Sequence, residues 1–88
     1  MADFYERVFR ATEDFELRRR ILARLLVLGP ANNRWHVGEV FARLVASVTD
    51  ESLMMELRDL FQNNPREAEW NRSYLSHKSI PALLRKVL

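Results

Sequence analysis

One stretch decides the fold: Leu17-Arg18-Arg19-Arg20-Ile21-Leu22-Ala23-Arg24-Leu25-Leu26-Val27-Leu28-Gly29-Pro30. Leu17, Ile21, Leu25 and Leu28 recur at steps of three and four, which puts their side chains on one face of an α-helix. Leu22 and Leu26 broaden that stripe, and Arg18, Arg19, Arg20 and Arg24 fall on the polar side. A strand would need alternation with a period of two, and no stretch of the chain offers it cleanly. Just upstream, Glu13-Asp14-Phe15-Glu16 brings negative charge to the positive end of this helix's dipole. Leu28-Gly29-Pro30 is expected to stop the helix, because glycine takes a left-handed cap and proline cannot continue the hydrogen-bond ladder.

The same period runs outward in both directions. Asp3 is expected to cap a first helix with Phe4, Val8 and Ala11 on one face and Tyr5 and Phe9 beside it. Asn32 or Asn33 is expected to cap a third, lined by Val37, Phe41, Leu44 and Val48, with Val40 and Val45 alongside. Gly38 costs that helix about 1 kcal/mol relative to alanine and so marks a close crossing. Thr49 or Asp50 caps a fourth helix, which buries Leu53, Leu57, Leu60 and Phe61. Asn64-Pro65-Arg66-Glu67 joins a cap residue, a first-turn proline and a third-position glutamate, and opens a fifth helix reaching about Ser76. Ser79-Ile80-Pro81 restarts the chain for a last short helix holding Leu83, Leu84, Val87 and Leu88.

These helices share 88 residues, 48% of them hydrophobic and 30% charged, which is room and apolar surface for one domain over residues 1–88. The expected fold is all-α, a compact antiparallel bundle of five to six short helices. Glycine and proline total five, too few for the turns of a small barrel or sandwich. With no cysteine there are no disulfides, thiolate metal sites or thiol nucleophiles. The first residues lack the basic and apolar regions of a secretory signal. The longest apolar run, Ile21 to Gly29, is interrupted by Arg24 and falls short of the ~20 residues that span a bilayer. A cytoplasmic location and no membrane partner are therefore expected.

Charge comes in blocks: net −3 over residues 1–16, +5 over 17–48, −4 over 49–69 and +4 over 70–88. Such blocks are neutralised within a bundle or meet complementary blocks on another molecule. Arg18, Arg19, Arg20 and Arg24 form the basic face, and Glu51, Glu56 and Asp59 the acidic face of the fourth helix. Trp35, Trp70 and Tyr74 are residue types common at interface centres and in small cores alike. Met54 and Met55 cannot both face inward, so one of them is left for a pliable surface contact.

Catalytic chemistry finds little support. His36 and Glu39 stand three apart and share a helix face, but two ligands do not make a metal site. His77 suits the negative end of a helix dipole. The only glycines are Gly29 and Gly38, so no phosphate-cradling loop exists, and no serine has a histidine placed as its base. The chain is expected to be no enzyme, with no cofactor, no metal and no small-molecule substrate.

Nucleic acid is the stronger competitor, since the arginine fork suits phosphate. The pair most like a helix-turn-helix is the third and fourth helices, joined at Thr49-Asp50-Glu51. Its second member carries Asp50, Glu51, Glu56 and Asp59 against Arg58 alone and would repel a duplex.

Leu17-Arg18-Arg19-Arg20-Ile21-Leu22, the Leu28-Gly29-Pro30 end and Val40-Phe41-Ala42-Arg43-Leu44-Val45 resemble the small helical effector-associated domains of bacterial defence and signalling proteins, of the death-like fold group. The resemblance covers about Phe4 to Phe61. It implies homotypic contact through opposed charged faces. The leading reading is a non-enzymatic protein–protein interaction module or adaptor. It would work through Arg18, Arg19, Arg20, Arg24, Trp35, Glu51, Glu56 and Asp59, with a protein partner that can be homotypic. The alternative is a small nucleic-acid-binding accessory protein that contacts phosphates through its arginines.

Overall fold

The computed structural model describes residues 2–87, which form six helices and no strand. They are α1 (Ala2–Ala11), α2 (Phe15–Asn32), α3 (Trp35–Ser47), α4 (Glu51–Asn63), α5 (Pro65–Leu75) and the single turn α6 (Ala82–Arg85). The all-α bundle expected from the periodicity is what the chain forms. Its Cα radius of gyration, 11.5 Å, matches the ~12 Å of a compact globule this long. Leu88 lies outside the described residues.

The core is fed by all six helices, and its largest fully buried side chains include Phe41, Phe61, Leu22, Leu25, Leu44, Leu57 and Leu84. Phe41 and Phe61 meet edge to face at 6.1 Å, the arrangement that ring quadrupoles favour. In α3, Val37, Val40, Phe41, Leu44 and Val45 are all buried, as is Val48 just past its end, as their spacing requires.

Several local expectations give way to tertiary contacts. α2 does not stop at Leu28-Gly29-Pro30 but runs through Gly29 and Pro30 to Asn32. Pro30 has no N–H to give the Leu26 carbonyl one turn back. Asn71, fully buried on α5, fills that role: its Nδ2 donates to Leu26 O at 3.1 Å and to Glu67 O at 2.8 Å. The helix ends instead at Asn33, with φ 49°, where Asn33 N–H donates to Pro30 O and Arg34 N–H to Gly29 O. Asparagine tolerates this left-handed position better than most residues. Asn32 and Asn33 thus close α2 and do not cap α3, whose first flanking residue is Arg34.

Asp3 sits within α1, and its carboxylate reaches His36 on α3. The buried face of α1 is centred on Ala2 and Phe9, with Tyr5 and Val8 partly covered, while Phe4 and Ala11 face outward. Asp14 caps α2 by accepting from Leu17 N–H at 2.9 Å, and Asp50 caps α4 by accepting from Ser52 N–H. Asn64 precedes α5, yet its amide donates backward to Leu60 O and makes no forward cap.

Both glycines mark close crossings with α5. A Cβ on Gly29 would stand 2.6 Å from the Trp70 ring, and one on Gly38 the same distance from the Tyr74 ring. Trp70 and Tyr74, with ring centroids 5.2 Å apart, therefore each lay a ring against a helix crossing and are partly buried. The pairs Asp3–His36 and Glu6–Arg43 run forward along both helices, so α1 and α3 are parallel and α2 returns beside them.

Candidate interaction surface

The arginine-rich stretch divides into inward and outward members once folded. Arg18 lies with its guanidinium carbon 4.9 Å from the centroid of the Phe9 ring, and its Nε donates to Thr12 O at 2.8 Å. It ties the α1–α2 turn together. Arg19 makes a forked contact with Glu16, at 2.6 and 3.1 Å. That bond raises the Arg19 pKa, the Glu56 charge on α4 adds to the effect, and the Glu16 carboxyl is lowered in turn. Arg20 reaches Glu16 only at 3.9 Å and is 72% exposed, and Arg24 has no ion-pair partner among the described residues.

Arg20 and Arg24 stand one turn apart on the rim of a surface groove of about 310 Å³ between α1 and α2. Tyr5, Leu17 and Ile21 complete its wall. The spacing predicts Leu17 in the α2 core stripe, but the phase of that stripe is set by Ile21, Leu22, Leu25 and Leu26, which leaves Leu17 37% exposed. Phe4, 57% exposed and edge-on to Tyr5, extends the apolar surface on α1. The result is an apolar depression flanked by two cations. Sequence reasoning missed Phe4, Tyr5 and Leu17 as parts of it, because their periodicity also fits a buried face.

On α4, Glu51, Met55 and Asp59 follow at intervals of four and share one outward stripe. Met55 is 43% exposed, so of the two neighbouring methionines it is the surface one, with a carboxylate one turn to each side. Asp59 contacts Arg58 at 3.5 Å, while Glu56 is half-buried near Arg19 and leaves the ridge. The acidic and basic faces are thus partly joined within the fold through Arg19 and Glu56. Beyond that junction, α2 lies between α1 and α4, which do not touch. The ridge of one chain cannot enter its own groove.

Trp35 begins α3 and is 67% exposed, with its ring edge-on to His36. His36 is held by Asp3 at 3.0 Å, whereas Glu39 turns to Lys78 at 3.7 Å. The one histidine–carboxylate pair suggested by spacing is therefore split between two neighbours. No group of three or more histidine, aspartate or glutamate side chains suited to a metal occurs among the described residues. Nor is any helix among them long and apolar enough to cross a membrane.

No family model, curated protein or solved structure matches this chain.

Proposed function

We propose that the chain is a non-enzymatic, cytoplasmic protein-interaction module, and that its partner is a second copy of the same fold. The observation that carries this reading is the match between two surfaces that cannot meet within one chain. The α1–α2 groove offers Tyr5, Leu17 and Ile21 between Arg20 and Arg24. The α4 ridge offers Met55 between Glu51 and Asp59. A methionine suits such a groove because its unbranched thioether adapts to an irregular wall. Two exposed ion pairs add only about 0–1 kcal/mol each, so the association is weak and salt-sensitive. It is also head-to-tail, because groove and ridge are different surfaces, and it builds open chains unless the rotation closes a ring. The resemblance to effector-associated domains, which pair through opposed charged faces, supports the same reading.

The competing use of the arginines on nucleic acid loses support from their individual contacts. Arg18 and Arg19 are engaged within the chain, so the stretch of four leaves only two on its rim for phosphates.

The test is a charge swap read by analytical ultracentrifugation at low salt. Arg20→Glu/Arg24→Glu and Glu51→Arg/Asp59→Arg should each be monomeric alone. Mixed, they should associate, because each groove then faces a ridge of opposite sign. A strict monomer at low salt for the unmodified protein, or no association in the mixture, overturns the reading. If the protein instead binds a DNA duplex with an affinity falling steeply with salt, and Arg20→Glu/Arg24→Glu abolishes that, the arginines serve nucleic acid.

A further inference from the structure

Three of the four bases in the positive C-terminal block of the sequence, Arg72, Lys78 and Arg85, gather on one feature. A half-open cleft of about 360 Å³ lies where α5 gives way to the turn leading into α6. Its wall consists of Arg72, Leu75, Ser76, Lys78, Ile80 and Arg85. Three cations surround a floor made by Leu75 and Ile80, both buried, and no carboxylate among the described residues belongs to the wall. The volume sits at the lower end of the range of ligand clefts, and such sites combine an apolar lining with a few convergent polar groups.

We infer that this cleft binds a small amphiphilic anion, an apolar body ending in a phosphate or carboxylate. The three cations differ in how they are held. Arg85 is tethered by its Nε, which donates to Ile80 O at 3.0 Å, so the outer fork of the guanidinium is presented without the entropy loss of a free side chain. It has no ion-pair partner among the described residues. Lys78 is held at 3.7 Å from Glu39, a loose contact that an anion can share. Arg72 pairs with Glu69 at 3.0 Å on the exposed side of α5 and is the least available of the three. The C-terminal end of α5 contributes about half a negative charge here, which opposes an anion; Arg85, the one cation of the three outside an ion pair among the described residues, outweighs it. Ser76 gives its hydroxyl proton to Ser73 O and adds no donor. The head group is thus recognised by Arg85 and Lys78, and the apolar body lies against the aliphatic stems of those side chains, above the buried Leu75 and Ile80. Inorganic phosphate, lacking that body, binds more weakly than its aryl ester.

Amide chemical-shift titration of the full chain tests this with phenyl phosphate, inorganic phosphate and phenol as probes. Phenyl phosphate should give saturable shifts confined to Leu75 through Arg85, with inorganic phosphate weaker and phenol without effect. Arg85→Gln and Lys78→Gln should each weaken phenyl phosphate by about tenfold or more. Lys86→Gln, a neighbouring cation outside the wall, should leave binding unchanged. Vesicles of phosphatidylcholine with and without phosphatidic acid separate the two sources of such an anion. Sedimentation with the phosphatidic acid vesicles, lost in Arg85→Gln, assigns a lipid head group, and its absence with phenyl phosphate binding intact assigns a free ligand. The inference is overturned if phenyl phosphate gives no saturable shifts, or if Arg85→Gln and Lys78→Gln bind as tightly as the unmodified chain.

Discussion

Asn71 and Pro30 form a pair that a double-mutant cycle can take apart. Pro30 cannot supply the N–H that a helix owes the Leu26 carbonyl, and Asn71 Nδ2 supplies one from α5 at 3.1 Å. Leu26 and Asn71 are both buried, so bulk water reaches neither group. Asn71→Leu removes the donor with little change in volume and orphans the carbonyl, at a cost of about 1–3 kcal/mol. The same substitution also removes Asn71 Oδ1, a buried acceptor with no partner, and so recovers part of that cost. The single variant therefore reports a difference between two comparable effects, whereas the cycle isolates one. In Pro30→Ala, residue 30 regains its N–H and bonds Leu26 directly, so adding Asn71→Leu leaves no orphan. Asn71→Leu should be more harmful beside proline than beside alanine, by about 1–3 kcal/mol. Equilibrium urea unfolding of the four proteins reads this coupling, and each kcal/mol also moves the melting temperature by about 4–8 °C in a domain of this size. Additivity within about 0.5 kcal/mol would refute the idea that the side chain replaces the missing ladder bond.

Gly38→Ala gains about 1 kcal/mol of helix propensity but drives a Cβ to 2.6 Å from the Tyr74 ring. Overpacking at about 1–3 kcal/mol should win; a higher urea midpoint for the variant would show that Tyr74 withdraws freely. Leu25→Ala, at a fully buried position, should cost about 2–5 kcal/mol, and an unchanged midpoint would mean that the wrong face of α2 is assigned to the core. Glu6 sits between Arg43 and Arg10, and the Arg43 hydrogen bond chiefly holds its carboxyl below the ordinary glutamate value. Its stabilisation is present above the unfolded-state pKa and is lost as pH falls through the lower folded-state value. The melting difference between the native chain and Glu6→Gln should thus be largest near neutrality and vanish on acidification, and a difference that grows toward acid would have the wrong sign.

Helical periodicity is a local property, and the sequence by itself determined the features that depend on periodicity alone. The leucine spacing of residues 17–30 and the valine and phenylalanine spacing of residues 37–48 suffice to assign an all-α fold and the buried face of α3. Helix starts were legible as local chemistry: Asp14 lies in the acidic stretch expected to open α2, and Asp50 is one of the two residues expected to cap α4. The four charge blocks were visible as composition. Tertiary structure decided the rest, because each point depends on a group distant in sequence. Whether Gly29-Pro30 ends a helix depended on Asn71, 45 residues away from Leu26. Asp3 was expected to cap α1, but it lies within that helix with its carboxylate on His36 of α3. Of four consecutive-looking arginines, the contacts of Phe9, Thr12 and Glu16 chose which two face outward. The cleft lined by Arg72, Lys78 and Arg85 exists only because the chain turns back after α5. Spacing specifies which face a side chain takes on its own helix, while the partner across the interface determines what that face is for.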